Sequence, residues 1–216
     1  MPKIQSLIRI SGAALLAATI LYFIVLGTHG SDYETGRMLL PIWKTAHIAE
    51  GLLYLLLTLG VVGLYLCQAE QTGILGLVGF VLALLGCAFV VNQSLTYHAF
   101  LLAFMQNHYS TLLSPAQWYS ADGPLGAEFS YISRSYVVAI VGLGLMGISI
   151  ARARVLPRWA GLLLAAGQVT SLINFFAPET LLRVLFPITA AGFLAIAVSY
   201  GWLGFVLTTS RGLRTQ

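Results

Sequence analysis

Long apolar runs broken by short polar stretches set the layout of this chain. A helix needs about 20 apolar residues to cross a bilayer. Six stretches reach that length, at roughly 8–28, 43–67, 73–98, 131–151, 159–176 and 182–208. The expected fold class is therefore all-α: one polytopic membrane domain spanning 1–216, built as a six-transmembrane-helix bundle. The breaks are unequal. Gln68–Thr72 and Arg152–Arg158 are short and predict tight antiparallel hairpins, whereas the segment at about 105–130 is long. That segment holds Ser114-Pro115 and Asp122-Gly123-Pro124, which interrupt any helix. It also holds Trp118, Tyr119 and Phe129, so it is expected to form an ordered cap over the bundle mouth or to lie at the headgroups.

Composition agrees with this layout. The 216 residues are 58% hydrophobic and 8% charged, against roughly 25% charged in soluble domains, and the mean hydropathy is +0.88. The net charge of +4 comes from arginines flanking the spans, which argues for the positive-inside bias and against nucleic-acid binding. With the N-terminus inside, the inner segments hold Lys3, Arg9, Arg152, Arg154, Arg158, Arg211 and Arg214. The outer segments hold only Arg37, Lys44, Arg134 and Arg183, so both termini are expected in the cytoplasm. The apolar run behind Lys3 and Arg9 exceeds a signal-peptide core and has no small-x-small cleavage site after it, so it is expected to remain as the first span. Cys67 and Cys87 form no CxxC pair and are expected to pack as apolar residues.

Glycines recur with the spans. The inward-running spans end in Gly60-Val-Val-Gly63, Gly144-Leu-Met-Gly147 and Gly201-Trp-Leu-Gly204. The outward-running spans begin near Gly12, Gly76 and Gly161. Glycine lets helix backbones approach closely in lipid. Gly60, Gly63, Gly144 and Gly147 are thus expected to face neighbouring helices at close range, in three related hairpins packed tightly at their inner ends.

Tight inner packing leaves the outer half wider, and the polar residues gather there. His29, His47, His98 and His108 all fall at or beyond the outer ends of spans. The stretch Trp43-Lys-Thr-Ala-His-Ile-Ala-Glu-Gly-Leu-Leu-Tyr54 is the centre of this region. On a helix His47, Glu50 and Tyr54 share one face. Glu50 is the single acidic residue placed inside the hydrocarbon, and an ionisable group there points to the bundle interior and marks a site. The candidate ligand pocket comprises Tyr22, His47, Glu50, Tyr54, Asn92, Ser94, His98 and Arg134. Four chemistries fit these residues. A structural network would pair Glu50 with Arg134 or with hydroxyl and amide groups. An open pocket would take a small polar or amphipathic ligand. A metal, for which no HExxH motif argues, would use His29, His47, Glu50 and His98. A haem would use His47 and His98 as axial ligands. There is no nucleophile elbow, Walker motif or dinucleotide fingerprint, and catalytic residues and cofactor stay unassigned. Asn92-Gln-Ser94 matches a glycosylation sequon but closes a span, and Pro187 is expected to bend the sixth.

The inner loop Arg154-Val-Leu-Pro-Arg-Trp-Ala-Gly161, together with the Gly-x-x-Gly endings, resembles small uncharacterised six-span integral membrane proteins of bacteria. The resemblance covers layout alone and implies a bacterial plasma (inner) membrane location without an activity. The expected function is an integral membrane protein with an outward-facing polar pocket centred on Glu50 that binds a small ligand. The alternatives are an accessory or assembly subunit of a membrane complex, and a metal- or haem-dependent membrane enzyme using the His47/Glu50 cluster. Expected partners are the lipid bilayer, a small polar or amphipathic ligand and membrane-complex subunits.

Overall fold

A computed structural model describes residues 2–29, 40–101, 126–177 and 179–209, without the side chains at 2, 97, 101, 126–135, 179, 182 and 183. All regular structure among these residues is helical. The elements are α1 (Pro2–Thr28), α2 (Pro41–Leu66), α3 (Ala69–Asn92), a π-helical continuation (Gln93–Leu101), α4 (Gly126–Ala153), α5 (Arg158–Phe176) and α6 (Glu179–Thr209). Among the described residues, six helices are long and apolar enough to cross a membrane. The 26 residues of α2, at about 1.5 Å each, make roughly 39 Å, which exceeds the hydrocarbon core of about 30 Å. The expected spans match these helices to within a few residues, except that α1 and α4 start earlier, at Pro2 and Gly126. The expected cap falls largely on residues 102–125, which lie outside the described residues, as does His108.

The helix ends follow from local chemistry. Pro41 opens α2, where a missing N–H costs nothing. Arg154, at φ 57°, takes the left-handed conformation that ends α4. Gly73 breaks α3 with φ 56° and ψ −153°, a backbone conformation open essentially to glycine, and a Cβ there would meet nothing within 4 Å. Backbone conformation, not space, requires that glycine.

Each helix packs on its chain neighbours, and α6 closes on α1, so the six helices form an up-and-down ring. Leu15, Leu53, Leu57, Val61, Ala83, Cys87, Met146, Leu164, Tyr200 and Leu203 fill it and are almost fully buried. Ile20, Phe23, Leu55, Leu85, Phe89, Val198 and Phe205 are exposed along the outside. An apolar exterior around an apolar filling is compatible with a helix bundle whose solvent is lipid.

Glycines set the seams. A Cβ on Gly12 would lie 2.8 Å from the Gly204 carbonyl oxygen, and one on Gly204 2.9 Å from that of Gly12. Gly147 and Gly161 are reciprocal in the same way, at 2.7 and 2.6 Å. Gly60 lies against Leu15 and Gly63 against Ser11. Gly144 departs from expectation: a Cβ there would find only the Gln168 Cβ, at an ordinary 3.5 Å. The reason is helical phase. In α4 the glycine that meets a neighbouring backbone besides Gly147 is Gly142, which lies against Ala83 of α3, opposite Gly86 against Ala139. In the ring α1, with Lys3 and Arg9, starts at the same end at which Arg152 and Arg154 close α4 and Arg158 opens α5. This is the arginine end. His29, Trp43 and His98 mark the opposite, histidine end.

Candidate functional site

Three chain segments meet at the histidine end. His29 extends the last turn of α1, its backbone N–H donating to the Val25 carbonyl at 2.8 Å. Pro41 starts α2 so that Trp43, His47, Glu50 and Tyr54 follow at helical spacing down one face. All but Tyr54, which is half-buried, are buried: His47 is 0%, Trp43 3% and Glu50 7% exposed. The π-helical segment then brings in Ser94 and His98, both buried. π-Helical turns are uncommon and concentrate at functional sites. Gly51, next to Glu50, makes the approach feasible, because any side chain there would collide with Leu95.

The rings pack directly. The His47 ring centroid lies 4.3 Å from that of Trp43, 4.4 Å from that of His98 and 4.7 Å from that of His29. Trp43 stacks on His98 at 6.0 Å with 19° between planes. At the rim Lys44 places its ammonium 5.2 Å from the Phe100 ring centre, tying α2 to the π-helical segment.

Hydrogen bonds orient the polar groups. The His47 Nδ1 lies 2.9 Å from the Trp43 carbonyl oxygen. A carbonyl only accepts, so Nδ1 carries the proton and Nε2 presents a lone pair. Nε2 is buried and, among the described residues, has no hydrogen-bond partner; the same holds for the indole Nε1 of Trp43. One turn deeper, the Ser94 hydroxyl donates to Glu50 Oε2 at 2.8 Å. The Tyr136 hydroxyl of α4 also hydrogen-bonds with Glu50 and Ser94. Tyr22 and Tyr54 lie within electrostatic reach of the carboxylate. Tyr22 meets Tyr200 edge-on at 6.1 Å, and Tyr54 meets Tyr136 at 6.2 Å. A layer of tyrosines therefore separates the polar site from the apolar filling below.

Of the residues expected to line a pocket, Tyr22, His47, Glu50, Tyr54, Ser94 and His98 lie in one region of the bundle. Asn92 does not join them. It is exposed on the outside of α3, since side chains two positions apart on a helix point to roughly opposite faces. The Arg134 side chain lies outside the described residues. Two participants went unforeseen. Trp43 sits four residues before His47, so extending the face by one turn finds it. Tyr136 carries no sequence signal that distinguishes it from the other tyrosines of the chain.

The arrangement bears on the cofactor expectations. One ligand atom each from His29, His47 and Glu50 lies within 4.8 Å of the others. That is close to a shared ligand sphere. Haem ligation by His47 and His98 fits poorly, because their rings touch at 4.4 Å and axial imidazoles must stand on opposite faces of a macrocycle. Comparison with protein-family models, curated proteins and solved structures finds no match to this chain.

Proposed function

We propose that this chain is a multi-pass membrane protein of the bacterial plasma membrane with both termini in the cytoplasm, and that its polar site at the histidine end opens outward and binds a small polar ligand. The orientation rests on the arginine end and the positive-inside bias. One observation carries the binding reading: the Trp43 indole N–H and the His47 Nε2 are buried and lack hydrogen-bond partners among the described residues. A buried polar group left unpaired costs about 1–3 kcal/mol. A centre that served only to hold helices together would pair such groups or replace them with apolar ones. A guest molecule satisfies both.

The test is Trp43→Phe, which keeps the ring and removes the N–H. Protein purified in mild detergent is analysed by native mass spectrometry for co-purified small molecules. It is also screened by thermal unfolding against polar metabolites and inorganic ions. The binding reading expects at least one compound to raise the unfolding midpoint of the wild type, with a weaker response in Trp43→Phe. A purely structural centre, as in an accessory subunit, expects no compound to shift the midpoint and Trp43→Phe to gain stability.

A further inference from the structure

We infer that the ligand of this site is a divalent first-row transition-metal ion held by His29, His47 and Glu50. The inference rests on the binding reading above and narrows it at His47 Nε2; a cation accepts no hydrogen bond, so the Trp43 N–H is left to a water or anion that accompanies the ion. Its first support is the donor set. Two imidazoles and a carboxylate suit Zn²⁺, Fe²⁺, Mn²⁺ or Co²⁺ and disfavour Mg²⁺ or Ca²⁺, which prefer oxygen-only shells. The second is convergence: the three ligand atoms come from two helices and lie within 4.8 Å of one another. Ligand atoms about 2.0–2.1 Å from one tetrahedral ion stand roughly 3.4 Å apart. The separations here, at most 4.8 Å, exceed that by at most about 1.4 Å.

The third support is independent of the first two. Metal-ligating histidines almost always donate their other ring N–H to a carbonyl or carboxylate, which fixes tautomer and orientation. His47 does this through Nδ1 to the Trp43 carbonyl at 2.9 Å, and the nitrogen thereby freed for a metal, Nε2, is the buried one without a hydrogen-bond partner among the described residues. Glu50 is held likewise, by the Ser94 hydroxyl at 2.8 Å and by Tyr136. Ligand orientation is thus built in before any ion arrives. Three protein ligands leave coordination positions open, the pattern of sites that exchange water or substrate and not of closed structural sites.

The test uses full-length, tag-free protein in mild detergent, stripped with chelator and titrated with Zn²⁺, with Co²⁺ as a spectroscopic probe. One equivalent should bind, raise the unfolding midpoint and give a visible Co²⁺ absorption band. Glu50→Gln and His47→Ala should each weaken binding at least tenfold. His29→Gln, at the half-buried end of α1, guards against misfolding of the deeper variants and should weaken binding while leaving the helical circular dichroism unchanged. Folded wild type that binds neither ion overturns the inference, as does binding unaltered in all three variants. If metals fail while an organic compound still stabilises the wild type more than Trp43→Phe, the metal assignment falls and the ligand-binding reading stands. If neither binds, both fall.

Discussion

Gly144 and Gly147 lie one helical turn apart in the same motif, yet substitution to alanine should affect them oppositely. At Gly147 the new Cβ would stand 2.7 Å from both the Ala165 nitrogen and the Gly161 carbonyl oxygen. Ordinary contact begins at 3.4 Å, so the overlap is 3.4 − 2.7 = 0.7 Å, and both obstacles are backbone. Gly161 approaches Gly147 just as closely from the other side, so α4 and α5 can relieve the clash only by moving apart. Overpacking of this kind costs about 1–3 kcal/mol. At Gly144 the Cβ meets only Gln168 Cβ at 3.5 Å, which is favourable contact. Both changes gain the same helix propensity, about 1 kcal/mol. The difference between the two variants therefore isolates the packing cost and should be about 1–3 kcal/mol. Gly204→Ala against Gly201→Ala repeats the comparison, since Gly204 faces the Gly12 carbonyl oxygen at 2.9 Å while Gly201 has Thr19 no nearer than 3.6 Å. Unfolding midpoints in one mild detergent provide the measurement. Gly144→Ala or Gly201→Ala should equal or exceed the wild type, and Gly147→Ala and Gly204→Ala should fall clearly below their controls. Equal losses within each pair would refute backbone approach through the second glycine as the basis of these seams.

Glu50→Leu leaves the Ser94 and Tyr136 hydroxyls buried beside an apolar chain, at about 1–3 kcal/mol for each unpaired group. Glu50→Gln keeps an acceptor, so its unfolding midpoint should lie much closer to that of the wild type; similar losses for both would mean that the hydrogen bonds to Glu50 are not what holds this layer. The native cysteines should resist maleimide. Cys87 is fully buried, and Cys67 is half-buried with its thiol donating to the Leu64 carbonyl at 3.2 Å; fast labelling of the folded wild type at about pH 7.5 would contradict that placement. In this quiet background, cysteines introduced at Gly30 or Ala121 should label in intact cells, whereas those at Gln71 or Thr215 should not; the reverse pattern would invert the proposed orientation.

The sequence alone determined the six long apolar helices found among the described residues and most of their limits. Apolar length is a local property, and the hydrocarbon thickness that it must match is a constant. The alignment of His47, Glu50 and Tyr54 was equally local, being fixed by the 3.6-residue repeat of a single helix. Tertiary structure decided what lies opposite that face. Nothing in the chain between His29 and Trp43, or between Glu50 and Ser94, encodes their distance. It arises because the ring sets α1 and the π-helical end of α3 on either side of α2, with Gly51 clearing the way for Leu95. The same dependence separates Asn92 from Ser94 and Gly144 from Gly147. Each pair shares a motif, and the angle at which a neighbouring helix meets it selects one member for contact. Tyr136 shows the limit most directly. Its residue type recurs ten times in the chain, and only the packing of α4 against α3 brings this copy to Glu50 and Ser94.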